Sequence, residues 1–264
     1  MSTIALQTRL ARAELDKGLR LMWRRRALVV AAAIVYGLTY LGISLFIGGG
    51  HLIKDLMVRT LPGLLAVLVA STAAVEGCAG ISEEINGGTL EQTRLSPASP
   101  QLQMLGRMTA LAIEGLAVAA ALGVVFVFGA GLDVNPHPEA LIPAVLTVLD
   151  AVGYGLIMTA LVVRVASIGA ISHVGTMAIM AFGGTLVPIS VFPHGMQIFA
   201  RFIPTTQGVD SINALVAGRG LALTWSDGTL PWLLVHTAAL LATGFSLYAI
   251  NIRHAQREGG LRAR

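Results

Sequence analysis

Leu61-Pro62-Gly63-Leu64-Leu65-Ala66-Val67-Leu68-Val69-Ala70-Ser71-Thr72-Ala73-Ala74-Val75-Glu76-Gly77-Cys78-Ala79-Gly80 has Glu76 as its one carboxylate. It runs directly into the polar, glycine-bearing segment Ile81-Ser82-Glu83-Glu84-Ile85-Asn86-Gly87-Gly88-Thr89-Leu90-Glu91-Gln92-Thr93-Arg94-Leu95-Ser96-Pro97. About 20 apolar residues are what a helix needs to cross a hydrocarbon core of about 30 Å. The first stretch therefore reads as a transmembrane helix and the second as a short hairpin held outside the lipid.

The whole chain repeats that pattern. Hydrophobic residues make up 55% and charged residues 12% of its 264 residues, and its mean hydropathy is +0.76, whereas an average soluble domain is about 25% charged. Backbone groups in lipid must bond within their own segment, so long unbroken apolar runs predict an all-α membrane protein. Alternating strands of about ten residues, the mark of a β-barrel, are not the pattern here. Six runs have the length of spans: Ala27–Ile47, Leu61–Gly80, Leu105–Gly131, Leu141–Val163, Ile171–Val191 and Leu230–Asn251. They form a single transmembrane domain over 1–264, divided into a leading helix at 1–26, a six-helix bundle at 27–251 and a basic tail at 252–264.

An even number of crossings puts both termini on one side, and lysine and arginine decide which. Fourteen of the 18 lie on the side of the termini: Arg9, Arg12, Lys17, Arg20, Arg24, Arg25, Arg26, Arg94, Arg107, Arg164, Arg253, Arg257, Arg262 and Arg264. Lys54, Arg59, Arg201 and Arg219 lie opposite. Cytoplasmic loops hold the positive excess, so the termini and the glycine hairpin are expected in the cytoplasm. The net charge of +4 then reflects topology, and no clustered basic face points to nucleic acid.

In the leading segment, Ala11, Leu15, Leu19 and Met22 share one side of a helical wheel while Arg9, Arg12, Asp16 and Arg20 share the other. That is the period of an amphipathic helix lying on a membrane surface. Trp23 at headgroup depth, followed by Arg24, Arg25 and Arg26, completes an interfacial anchor that binds membrane lipids.

The hairpin follows from local chemistry. Gly87 and Gly88 permit the positive backbone dihedrals that reverse the chain. Thr89 with Gln92 makes a capping box that starts a short helix. Ser99 and Pro100 provide the cap and first turn of the next. From Pro100 to about Gly131 that helix would be roughly 45 Å long, longer than the lipid core, so it projects beyond it.

Glu84-x-x-Gly87-Gly88-Thr89-Leu90-Glu91, then Arg94-Leu95-Ser96-Pro97, resembles the cytoplasmic segment of ABC-2 type transporter permeases. Val187-Pro188-Ile189-Ser190-Val191-Phe192-Pro193 and Phe202-Ile203-Pro204-Thr205-Thr206 resemble the same family's signature after the fifth span. The resemblance implies that two permeases, here most simply a homodimer, assemble with two ATP-binding subunits that hold the ATP and Mg. The chain itself would bind no cofactor. It also implies that Gly87–Leu95 is a coupling helix, with Glu83, Glu84, Gly87, Gly88, Thr89, Leu90, Glu91 and Arg94 at the joint. The pieces Met196–Ile203 and Gly208–Ala217, too short to span, become re-entrant helices forming an outer lid, with Phe192, Pro193, Phe202 and Pro204 as the extracellular gate.

Ionisable residues inside spans are costly. Glu76 and His173 lie near inner ends where water reaches them, and His236 lies in the last span. Glu114 and Asp150 are candidates for a polar translocation path. Gly115, Ala119 and Gly123 recur every four residues, a pattern for close helix packing. The chain's two lysines, Lys17 and Lys54, follow Asp16 and Ile53, so a phosphate-binding loop, which needs Gly-Lys, is absent. No His-Glu-x-x-His or Gly-x-Ser-x-Gly marks an enzyme, and the lone Cys78 cannot form an internal disulfide. The expectation is an ATP-driven exporter permease in a bacterial inner membrane. Its cargo would be amphiphilic or hydrophobic, either a drug or natural product or a glycolipid or lipid-linked saccharide. The alternative is an ATP-independent secondary transporter or an assembly factor.

Overall fold

The computed structural model describes residues 3–89, 99–134, 137–165 and 168–257, and among these it contains helices and no strand. Helix α1 (Thr3–Arg24) meets α2 (Arg26–Ile47) at Arg25. A turn at Gly48, Gly49 and Gly50, the last two at positive φ, returns the chain to α3 (Lys54–Ser71). A π-helical turn, Thr72–Glu76, leads α3 into α4 (Gly77–Asn86), so 54–86 forms one rod of 33 residues. Then come α5 (Pro100–Gly129), α6 (Leu141–Val162), α7 (Ile168–Phe182), the short α8 (His194–Ala200), α9 (Thr206–Val216) and α10 (Leu221–Ser226), and finally α11 (Thr229–Arg257).

Among the described residues, five helices are long and apolar enough to cross a membrane: Arg26–Ile47, Lys54–Asn86, Pro100–Gly129, Pro138–Val162 and Thr229–His254. The run expected as the fifth span, Ile171–Val191, is helical only as far as Phe182. The 15 residues of α7 rise about 22 Å, short of the roughly 30 Å core. Beyond it, Gly183, Gly184, Thr185 and Pro188 are buried in the protein. Gly184 takes φ +81, and a Cβ built on Gly63 of α3 would lie 2.7 Å from the Gly184 carbonyl carbon. Irregular backbone at this depth is tolerated where protein covers it. A helix of about three-quarters the core thickness and a shielded irregular stretch of chain thus replace the continuous span.

Glycines set the tightest seams. A Cβ on Gly153 of α6 would lie 2.7 Å from Leu240 Cβ of α11, and one on Gly244 of α11 would lie 2.6 Å from Leu156 Cβ of α6. Gly155 presses in the same way on Ala73 in the π-helical turn. Two buried clusters result. Tyr40, Met57, Leu64, Val67, Phe126 and Ile179 fill one, where the Tyr40 and Phe126 rings meet edge to face at 5.1 Å. Cys78, Ile81, Met104, Met108, Leu156 and Ile252 fill the other, so Cys78 is a buried packing residue. Outward faces are apolar instead: Leu28, Val35 and Leu38 on α2, Val125 and Phe128 on α5 and Val235 on α11 are all exposed. Such a belt suits lipid, where water would make it an aggregation surface.

Candidate functional site

Three groups of the expected residues fall at distinct levels of the bundle. At the hairpin end, α4 stops with Gly87 N–H donating to the Glu83 carbonyl at 2.8 Å and Gly88 N–H to the Ile85 carbonyl at 3.2 Å. Of the glycine pair, Gly88 alone uses the left-handed region, at φ +65, and Gly87 stays right-handed at φ −81. A single left-handed glycine after the last turn is sufficient to close a helix. The Thr89 hydroxyl donates back to the Glu84 carbonyl at 3.4 Å. Leu90, Glu91, Gln92 and Arg94, and with them the capping box and short helix, lie outside the described residues. Ser99 accepts from Leu102 N–H at 3.3 Å with Pro100 in the first turn, so α5 is capped as the sequence implies.

Glu83 is exposed at this end. Glu84 is half-buried and turned inward: its carboxylate takes the Arg107 guanidinium of α5 and lies 3.7 Å from Lys17 Nζ of α1. One side chain therefore ties the hairpin's root to two other helices. Helix α1 itself seats Gly18 against Ala110 of α5 with no room for a Cβ.

One level deeper, the three consecutive arginines separate. Trp23, Arg24 and Arg26 are exposed, and the Arg26 guanidinium lies 5.2 Å from the Trp23 ring centre. Arg25, at the junction of α1 and α2, points into the bundle. It binds Glu76 of the π-helical turn with one Nη and Glu114 of α5 with the other, at 2.7 Å for Glu114. Glu76 is thus ion-paired rather than merely hydrated, and Glu114 is almost fully buried beside it. The π-helical turn that presents Glu76 is a device commonly found at functional positions. These three residues, with His173 and the apolar side chains of α2, α3 and α5, line a cleft of about 210 Å³.

At the far end, Asp150 is fully buried. Its Oδ2 accepts the backbone N–H of Thr205 at 2.6 Å. Its Oδ1 accepts from Thr237 at 3.1 Å and lies 2.8 Å from His236 Nδ1. Asp150 sits nine residues along α6, about 14 Å from that helix's start. The loop between α8 and α9 therefore dips well into the bundle, and Thr205 reaches Asp150 in a left-handed conformation, φ +69. The expected short helices Met196–Ile203 and Gly208–Ala217 correspond to α8 and α9. Above them, Phe182 meets Phe192 and Phe199 edge to face at 6.2 and 5.4 Å, and Phe202 meets Trp232 at 5.6 Å. Phe192 and Pro204 are half-buried, while Pro193 and Phe202 are exposed.

Sequence reasoning singled out Asp150, Glu114 and Glu76 but missed their partners. Arg25 looks like its two neighbours in sequence, and Thr205 acts through its backbone, which no side-chain pattern reveals.

No curated protein matches the chain. A family model described as ABC-2 type transporter matches residues 9–216, from α1 through the end of α9. That family comprises transmembrane components which are not themselves catalytic and work with an ATP-binding subunit. Since the match covers the hairpin, the Arg25 cleft and the re-entering loop of one multi-pass helical bundle, the chain belongs to the ABC-2 type transporter family, as a permease component of an ABC transporter.

Proposed function

We propose that the chain is the membrane half of an ATP-driven exporter, working as a homodimer in a bacterial inner membrane and moving an amphiphilic substrate outward. The family match over residues 9–216 carries this reading. Both termini and the glycine hairpin face the cytoplasm, following the lysine and arginine distribution. The exposed Glu83 at the end of α4 and the segment beyond Gly88, with Glu91 and Arg94, dock on the ATP-binding partner. Glu84 has a different part from its neighbours, since it is already bound to Arg107 and Lys17. It transmits: a push on the hairpin moves α4, and through Glu84 it moves α5 and α1 together. At the opposite end, α8 and α9 form the lid, with Phe192, Pro193, Phe202 and Pro204 at its edge and Asp150 as the pin that holds it.

The test is to isolate the tagged chain from its native membrane in mild detergent and identify what accompanies it. A stoichiometric protein bearing a phosphate-binding loop is expected. Glu84→Lys should leave that complex intact yet uncouple its ATP hydrolysis from transport, and pairing it with Arg107→Glu should restore part of the coupling. Isolation of the chain alone, with transport that persists after ATP depletion, would overturn the reading.

A further inference from the structure

We propose that the cleft beside Arg25 is a binding site for amphiphilic organic cations. Its ionisable lining is Arg25, Tyr36, Glu76, Glu114 and His173. Two carboxylates, Glu76 and Glu114, face the one guanidinium of Arg25, so the acidic groups of the cleft outnumber that cation by one. The two carboxylates are not equivalent. Both bind Arg25, but Glu114 is 5% exposed whereas Glu76 is 40% exposed and also lines the cleft. A charge in an apolar setting is costly unless paired, and here the rest of the wall is mostly apolar, including Leu28, Val29, Ala32 and Val118.

An occupant must therefore bring one positive charge to Glu76 and apolar surface to α2 and α5. A small inorganic cation would gain nothing from that wall, and an anion would meet like charge. Leu28, one of the lining residues, is 71% exposed, so the α2 wall of the cleft is continuous with that helix's exposed apolar face. As a site for transported cargo, the cleft rests on the permease reading above; the binding itself does not.

The full-length chain in nanodiscs of uncharged lipid, without any ATP-binding partner, is titrated with tetraphenylphosphonium and with tetraphenylborate, ions of matching shape and opposite charge. Saturable binding of the cation and none of the anion is expected. Glu76→Gln should weaken cation binding at least tenfold. Ala32→Trp, which fills the cleft and leaves its charges in place, should abolish it. Val30→Trp, on the exposed face of the same helix and outside the cleft, should bind as the wild type does and so controls for insertion. Equal binding of both ions, or cation binding that neither Glu76→Gln nor Ala32→Trp changes, overturns the proposal. Because no ATPase is present, that failure is separable from failure of the exporter reading.

Discussion

Asp150 gathers hydrogen bonds from the Thr205 backbone, the Thr237 hydroxyl and His236, so its removal takes a buried partner from three groups at once, of which Thr237 keeps the Leu146 carbonyl at 3.5 Å. Leaving buried donors unpaired costs about 1–3 kcal/mol each, and breaking a buried charge pair about 3–5 kcal/mol. Asp150→Ala should therefore lower stability by roughly 3 kcal/mol in thermal unfolding of the detergent-purified chain, and Asp150→Asn, which keeps an acceptor, by less. A variant melting like the wild type would remove Asp150 as the pin of the re-entering loop. That Asp150 matters was visible in the sequence, because a carboxylate among apolar residues is conspicuous. What it binds was not visible: its partners lie 55, 86 and 87 positions away, and one of them is a main-chain N–H.

Among the helices, the repeat of small residues on α5 separates into unequal parts. A Cβ on Gly115 would lie 2.9 Å from the Val69 Cα, a backbone atom that cannot swing aside, whereas one on Gly123 would make ordinary contact with Leu65 at 3.6 Å. Gly115→Ala should destabilise by about 1–3 kcal/mol through overpacking. Gly123→Ala should be neutral or slightly stabilising, since alanine is the better helix former by up to about 1 kcal/mol. Equal melting temperatures would show that α3 and α5 are not closely seated at Gly115. Helix positions were legible because apolar length is a local quantity. The end of α7 at Phe182 was not, because hydropathy continues past Gly183 and Gly184, where the chain turns at φ +81 against Gly63 of α3. The seam of α6 with α11 was hidden for the same reason.

The molecule as a whole has a basic end and an aromatic end, and its orientation can be read directly. In a Cys78→Ser background, which frees the chain of its one buried thiol, a cysteine at Ser2 should react with a membrane-impermeant maleimide only after the cells are opened. A cysteine at His194 should react in intact cells. The reverse pattern would invert the topology drawn from the arginine count. Arg25 adds something concerning time. Its two carboxylate partners stand 51 and 89 residues further along the chain, so a ribosome delivers the arginine long before either. The rod of 54–86 brings Glu76 to it first, and α5 completes the bridge with Glu114. The ion triad is thus a record of assembly order, a clasp that the newborn protein cannot fasten until three of its membrane helices are in place.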